Sequence, residues 1–321
     1  MIQTTSRVDG YLPIATATLV PSTQLDCDLY TRRLRDEGAV VLYREQAYPF
    51  SLPDLERLRS QGVQQLYIRL GDAENYQRYL HEHVLAAPNV PAATRLAAVR
   101  EATRAAFREA SNSAENDKLV ALANDLGQQW TAILSNDNVV LTDLFRILDH
   151  DYYTFTHVCN VSLYCLLLAQ KLGLRDQAEL SELAAGAILH DIGKRAIASA
   201  ILNKPGRPTP EEWAIIRVHP TVGYYDLHER PDVSQAQLMM VYQHHERLNG
   251  TGYPVQITGD EMHPWAKICA VVDVFDALTS QRPYRKSLSS RDTLEYLERH
   301  AGDWFEAELV RAWGACVKGL T

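Results

Sequence analysis

The sequence predicts a mainly α protein with a smaller N-terminal α/β (α+β) domain. Three observations carry that prediction. From about residue 139 onward, nearly every segment places apolar residues at three- and four-residue spacing, the helical period. Residues 11 to 85 instead mix short runs rich in β-branched residues with polar breaks. Between the two regions, AAPNVPAATR sets prolines among small residues, the composition of a linker. The predicted divisions are a small α/β domain over 1–87, a helical linker over 88–138 and an all-helical domain over 139–321.

Within the first region, YLPIATATL and GAVVLYRE read as strands. SLPDLERLRSQG reads as a helix with Ser51 as N-cap and Gly62 at its end. VQQLYIRL reads as a further strand and DAENYQRYLHEHVL as a closing helix. His81 and His83 lie two positions apart on that helix, so they point to different faces and share no ligand. In the linker, LAAVREATRAAF has helical spacing; this helix either pairs with its copy in a dimer or packs on its own chain.

In the last region, VVLTDLFRILDHDYYTFTHVCNVSLYCLLLAQKLGL predicts two helices, the second ended by Gly173. LSELAAGAILHDIGK predicts an apolar helix with His190 and Asp191 near its C-terminal end. TPEEWAIIRVHPTVGYYDL reads as one helix, capped by Thr209 with Pro210 at its first position. PDVSQAQLMMVYQHHERL carries His244 and His245 at its end, and AKICAVVDVFDALTS carries Asp273 and Asp276.

Composition narrows the function. A hydrophobic content of 46% and a charged content of 22% are those of a soluble globular protein. The formal net charge of -8 disfavours sequence-blind binding to DNA or RNA, which needs a positive surface. Five cysteines without a CxxC pair indicate neither a disulfide framework nor a cysteine zinc site. Buried thiols in a reducing cytoplasm fit better. No signal pattern and no run of eighteen apolar residues occurs, so a cytoplasmic protein without a membrane span is expected.

One constellation speaks to chemistry. His190-Asp191, His219, His244-His245 and Asp273 follow in order on separate predicted helices, several near a helix end. Imidazoles and carboxylates in this mixture hold divalent transition metals of borderline softness. Helix ends converging on one point build metal sites in bundle cores. His157 fits as a further member, because Val158, Val161, Leu163 and Leu167 surround it and it would otherwise face a core.

HDIGK, His219 on the following helix, HHERLNGTGYP and VVDVFDALTSQRPYR together resemble the HD-GYP phosphodiesterases, a branch of the HD superfamily of metal-dependent phosphohydrolases. The resemblance spans about 140 to 300. It implies an all-helical HD-type bundle behind a regulatory N-terminal domain, and hydrolysis of the bacterial second messenger cyclic di-GMP to linear pGpG or further to GMP. It implies His157, His190, Asp191, His219, His244, His245 and Asp273 as metal ligands, with Asp191 bridging two ions. Lys194 matches a lysine that meets the phosphate. Tyr253, in Gly252-Tyr253-Pro254, would shape the substrate pocket. Arg282 and Arg285 match basic positions facing phosphate or guanine, and Asp276 an acidic position that either contacts substrate or orients a histidine. Asp191 and Lys194 would serve catalysis through a water made reactive by the ions.

A third metal in some relatives is held by a glutamate four residues before the first ligand histidine; here Tyr153 stands there, which predicts two ions and pGpG as product. The resemblance favours iron or manganese, and nickel, cobalt or zinc suit the same donors. Cyclic di-GMP, a homodimer through the linker and signalling proteins are the expected partners. The competing readings are a weakly catalytic module that binds cyclic di-GMP or docks a partner, and an HD phosphohydrolase for another nucleotide such as cyclic GMP-AMP.

Overall fold

The computed structural model describes residues 10–32, 39–87, 89–112, 116–136, 154–280 and 286–318. The chain divides into two compact units, Met1–Ala105 and Ala106–Thr321.

The first unit is built on a four-stranded antiparallel sheet in the order β1-β4-β2-β3, with β1 Tyr11–Ala15, β2 Leu29–Arg32, β3 Val40–Arg44 and β4 Gln65–Arg69. β2 is a strand that sequence pattern misses: LYTR is four residues long and too short to show a period. β4 is central and buries Leu66, Tyr67 and Ile68 in succession. Helix α1 (Leu52–Ser60) starts with a capping box between Ser51 and Asp54 and is followed by Gly62 at φ +68°, where glycine carries no Cβ penalty. Helix α2 (Ala73–Tyr79) runs on into a π-helical turn, Leu80–Leu85. Ile14, Leu58, Leu66, Ile68, Tyr76, Leu80 and Val84 close the core. Helix α3 (Ala92–Asn112) leaves this unit.

The second unit is helical throughout its named elements: α4 (Asp117–Asn136), α5 (Thr154–Lys171), α6 (Gln177–Leu189), α7 (Ser199–Leu202), α8 (Pro210–Ile216), α9 (His219–Leu227), α10 (Gln235–Gln243), α11 (Pro264–Thr279), α12 (Ser290–Arg299) and α13 (Ala307–Lys318). Helix α6 is the hub, packed by α4, α5 and α10. From Leu183 to Leu189 every residue of α6 is buried, and its small residues let neighbours approach closely. A Cβ on Gly127 of α4 would stand 2.5 Å from the Ser181 carbonyl, and one on Gly186 would stand 3.2 Å from Gln237 of α10. Tyr164, Phe275 and Trp313, from α5, α11 and α13, pack ring against ring at 5.0 to 5.9 Å.

One predicted helix is two. The stretch from Pro210 to Leu227 breaks between Ile216 and His219. Pro220 explains the break, since it has no N–H for the Ile216 carbonyl and its ring crowds that carbonyl in a continuous helix. Among the described residues, no helix is long and apolar enough to cross a membrane.

Candidate metal centre

Helix ends supply most of the site. His190 caps the C-terminus of α6 and His244 that of α10, while His219 follows the end of α8. The last carbonyls of a helix have no partner within it. Each of these imidazoles takes one three residues back: His190 Nδ1 donates to Ala187 O at 2.6 Å, His219 Nδ1 to Ile216 O at 2.8 Å and His244 Nδ1 to Val241 O at 2.9 Å. A carbonyl only accepts, so the proton sits on Nδ1 and the Nε2 lone pair points elsewhere. His157 lies inside α5, where carbonyls are spent on the helix itself. Its Nδ1 instead meets Asp276 Oδ2 at 2.8 Å, and Asn160 Nδ2 donates to Asp276 Oδ1 at 2.8 Å.

Those lone pairs converge. Asp191, His219, His244 and His245 form one group, and His157, His190 and Asp273 another; within each, the donor atoms lie within 4.8 Å of one another. The Asp191 carboxylate divides between them. Its Oδ1 lies 3.2 Å from His219 Nε2 and 3.7 Å from His244 Nε2, and its Oδ2 lies 3.4 Å from His190 Nε2 and 3.6 Å from His157 Nε2. Asp273 does likewise, with Oδ1 3.1 Å from His157 Nε2 and Oδ2 3.9 Å from His245 Nδ1.

The chemistry of these contacts calls for cations. His219 Nε2 and His244 Nε2 stand 3.3 Å apart, each with its ring proton already given to a carbonyl. Asp191 Oδ1 and His190 Nε2 are buried with no hydrogen-bond partner. Such acceptors facing acceptors repel unless a positive charge lies between them. Burial alone would depress the His190 imidazole, yet Asp191 and Asp273 help push it up to about 9, so a second proton on Nε2 takes the place that a metal would claim. Burial pulls His244 down to about 4 and so keeps it neutral, the form that binds a metal. Burial would raise the Asp191 carboxyl, but Lys194 and His190 outweigh it and hold it well below the usual carboxylate range. The two groups can each hold a metal ion.

One side is open. The His245 side chain is 22% exposed and Lys194 19%, whereas His157, His190, His219 and His244 are sealed. Lys194 Nζ donates to Asp191 Oδ2 at 2.5 Å. The Tyr253 ring, half-buried, lies 4.6 Å from His245 and 6.4 Å from His219. Two close approaches hold this geometry. A Cβ on Gly193 would stand 2.0 Å from the His219 carbonyl, so glycine lets the turn after Asp191 rest on the start of α9. A Cβ on Gly252 would stand 2.4 Å from Glu246 Cα. Glu246 then pins the Tyr253 loop by accepting from Val255 N at 2.7 Å and Gln256 N at 3.0 Å.

The structure thus brings together all seven residues singled out as ligands, with Lys194 and Tyr253 beside them. Asp276 is fully buried beneath His157. Arg282, Arg285 and Tyr153 lie outside the described residues. Sequence pattern did not single out Asn160 or Arg217. The Arg217 guanidinium lies over the Tyr253 ring, 4.7 Å from its centre, and only its place two residues before His219 hints at this.

A family-level comparison matches residues 119–309 to the HD domain. The chain belongs to the HD domain family. Its motif string sets it in the HD-GYP phosphodiesterase branch. This HD-GYP chain is 32% identical over 285 residues to the cyclic di-GMP phosphodiesterase PA4108 of Pseudomonas aeruginosa, covering 82% of this chain and 67% of that one. It is 32% identical over 208 residues to the cyclic di-GMP phosphodiesterase response regulator RpfG of Xanthomonas campestris, covering 64% and 54%. It is 38% identical over 162 residues to a 3'3'-cGAMP-specific phosphodiesterase 2 of Vibrio cholerae, covering 49% and 30%. It therefore spans about half or less of the length of the last two. A solved structure, Bd1817, an HDG"Y"P protein from Bdellovibrio bacteriovorus, shares the fold with a TM-score of 0.70 at 21% identity, over 96% of this chain and 99% of that one.

Proposed function

We propose that this HD-GYP chain hydrolyses cyclic di-GMP to linear pGpG at a pair of metal ions. The observation that carries the proposal is the division of the Asp191 carboxylate, one oxygen toward each group of donors. Its relatives PA4108 and RpfG, named cyclic di-GMP phosphodiesterases, support the substrate.

Two divalent cations held by His157, His190, Asp191, His219, His244, His245 and Asp273 would act as Lewis acids on the phosphodiester and activate water beside it. The chain's own groups do the rest. Lys194, at the open side, neutralises charge building on the phosphoryl oxygens. Tyr253, packed against His245 and Arg217, shapes the substrate pocket beside the donors. Asp276 fixes the His157 ring through Nδ1, leaving Nε2 for the ion. Iron or manganese is favoured. With Tyr153 at the position where a third-metal glutamate would stand, pGpG is the end product. Arg282 and Arg285 meet phosphate or guanine. Residues 1–87 act as a regulatory domain, 88–138 as a helical connection that can mediate a homodimer, and 139–321 as the catalytic domain.

The test joins metal analysis with product analysis on purified protein. Two bound ions, accumulating pGpG, and loss of both in Asp191→Ala are expected. Unchanged dinucleotide loss in Asp191→Ala would overturn the proposal. Relatives named 3'3'-cGAMP-specific motivate a second reading, cleavage of cyclic GMP-AMP. Competition between the two cyclic dinucleotides separates them.

A further inference from the structure

We infer that Arg217 binds the second, unreacting phosphate of the cyclic dinucleotide. The inference deepens the substrate reading above and rests on it. A cyclic dinucleotide carries two phosphodiesters. The reacting one must enter between the two donor groups, where Lys194 stands. The other remains an anion that a selective site has to meet.

Among the described residues Arg217 is a cation placed for it, alongside whatever Arg282 and Arg285 contribute. It follows α8 directly, two residues before His219. Its guanidinium lies 4.7 Å from the centre of the Tyr253 ring, and that ring lies 4.6 Å from His245. One aromatic ring therefore packs against both a positive charge and a metal-ligand imidazole. Stacking on the ring holds the guanidinium plane while its N–H edge stays available. Among the described residues the Arg217 guanidinium forms no ion pair or hydrogen bond; the residue's backbone N–H donates to the Trp213 carbonyl. Glu246, which lies close enough to feel the Arg217 charge, spends its carboxylate on the backbone N–H groups of Val255 and Gln256. Arg217 is half-buried, enough to limit competition from water and still reachable by a ligand. A planar fork of donors suits two phosphate oxygens better than a lysine would. Lys194, beside Asp191, is taken up by the reacting phosphate instead.

The experiment uses the full chain loaded with manganese, its metal content measured. Steady-state kinetics of the parent, Arg217→Gln and Arg217→Lys are compared on cyclic di-GMP and on bis(p-nitrophenyl) phosphate, which has one phosphate. For Arg217→Gln, KM for cyclic di-GMP is expected to rise about tenfold or more, the loss of one charged contact. Turnover of the one-phosphate substrate and metal content should stay within about twofold of the parent, which also shows that the variant folds. Arg217→Lys, with charge but no planar fork, should fall between the two. Equal losses on both substrates, or no change on either, overturn the assignment. A parent that cleaves bis(p-nitrophenyl) phosphate but not cyclic di-GMP brings down the substrate reading and this inference with it.

Discussion

The two units bury polar side chains in opposite ways. In the N-terminal unit, the buried side chains of Thr18, Tyr76, Tyr79 and Asp54 find partners among their neighbours. Thr18 Oγ1 donates to the Ala15 carbonyl at 2.7 Å and so receives the Tyr76 hydroxyl, also at 2.7 Å. The Tyr79 hydroxyl accepts from Val20 N at 2.8 Å. Asp54 is met by Ser51, Arg44 and Arg57. In the C-terminal unit the buried acceptors of Asp191, His219 and His244 face one another instead. The first arrangement completes itself and contributes stability. The second sets acceptor against acceptor, an arrangement that a cation would satisfy. Paired burial of this kind serves structure, whereas several buried acceptors converging on one point suit a ligand.

Five measurements can break or sharpen that contrast, in order of expected effect. Asp191→Ala should cut phosphodiesterase turnover by about a thousandfold or more, roughly 4 kcal/mol of barrier. A chelator should lower the parent's Tm yet hardly move that of Asp191→Ala, because only the parent gains stability from bound ions. Equal chelator sensitivity in the two proteins would mean the acceptors do not share an ion. Gly193→Ala should cost about 3 kcal/mol in urea unfolding, since its Cβ meets backbone at 2.0 Å that cannot yield cheaply. Wild-type stability for that variant would show that the turn after Asp191 does not rest tightly on α9.

Asp276→Asn should weaken metal affinity by about 10- to 100-fold while the fold persists, the usual effect of losing a carboxylate behind a ligand histidine. Isothermal titration with manganese reads this, and unchanged affinity would remove Asp276 from the site. Tyr76→Phe should cost about 1 kcal/mol of stability, one hydrogen bond, and leave turnover alone. A loss of turnover there would blur the contrast between the units.

The sequence announces more of the site than of the fold around it. His190-Asp191, His219, His244-His245 and Asp273 are legible because hydrophobic segments rarely end in such groups without cause. The helix starts at Ser51, Thr209 and Ser234 are legible too, as each is followed three residues on by a side chain that closes a capping box. What escapes is what depends on distant partners. β2 is held by pairing with β3 and β4 rather than by its own pattern. Asn160 matters through Asp276, 116 positions away. The stacking of Arg217 on Tyr253 joins two loops that share no local signal.

Pro220 carries a consequence beyond the broken helix. Any other residue there would present an amide to the Ile216 carbonyl, which His219 Nδ1 now holds alone. The imidazole would then share its anchor with backbone, a sharing that His190 and His244 avoid by sitting at the C-caps of their helices. One absent hydrogen atom, on a residue outside the donor groups, thus leaves the His219 anchor uncontested.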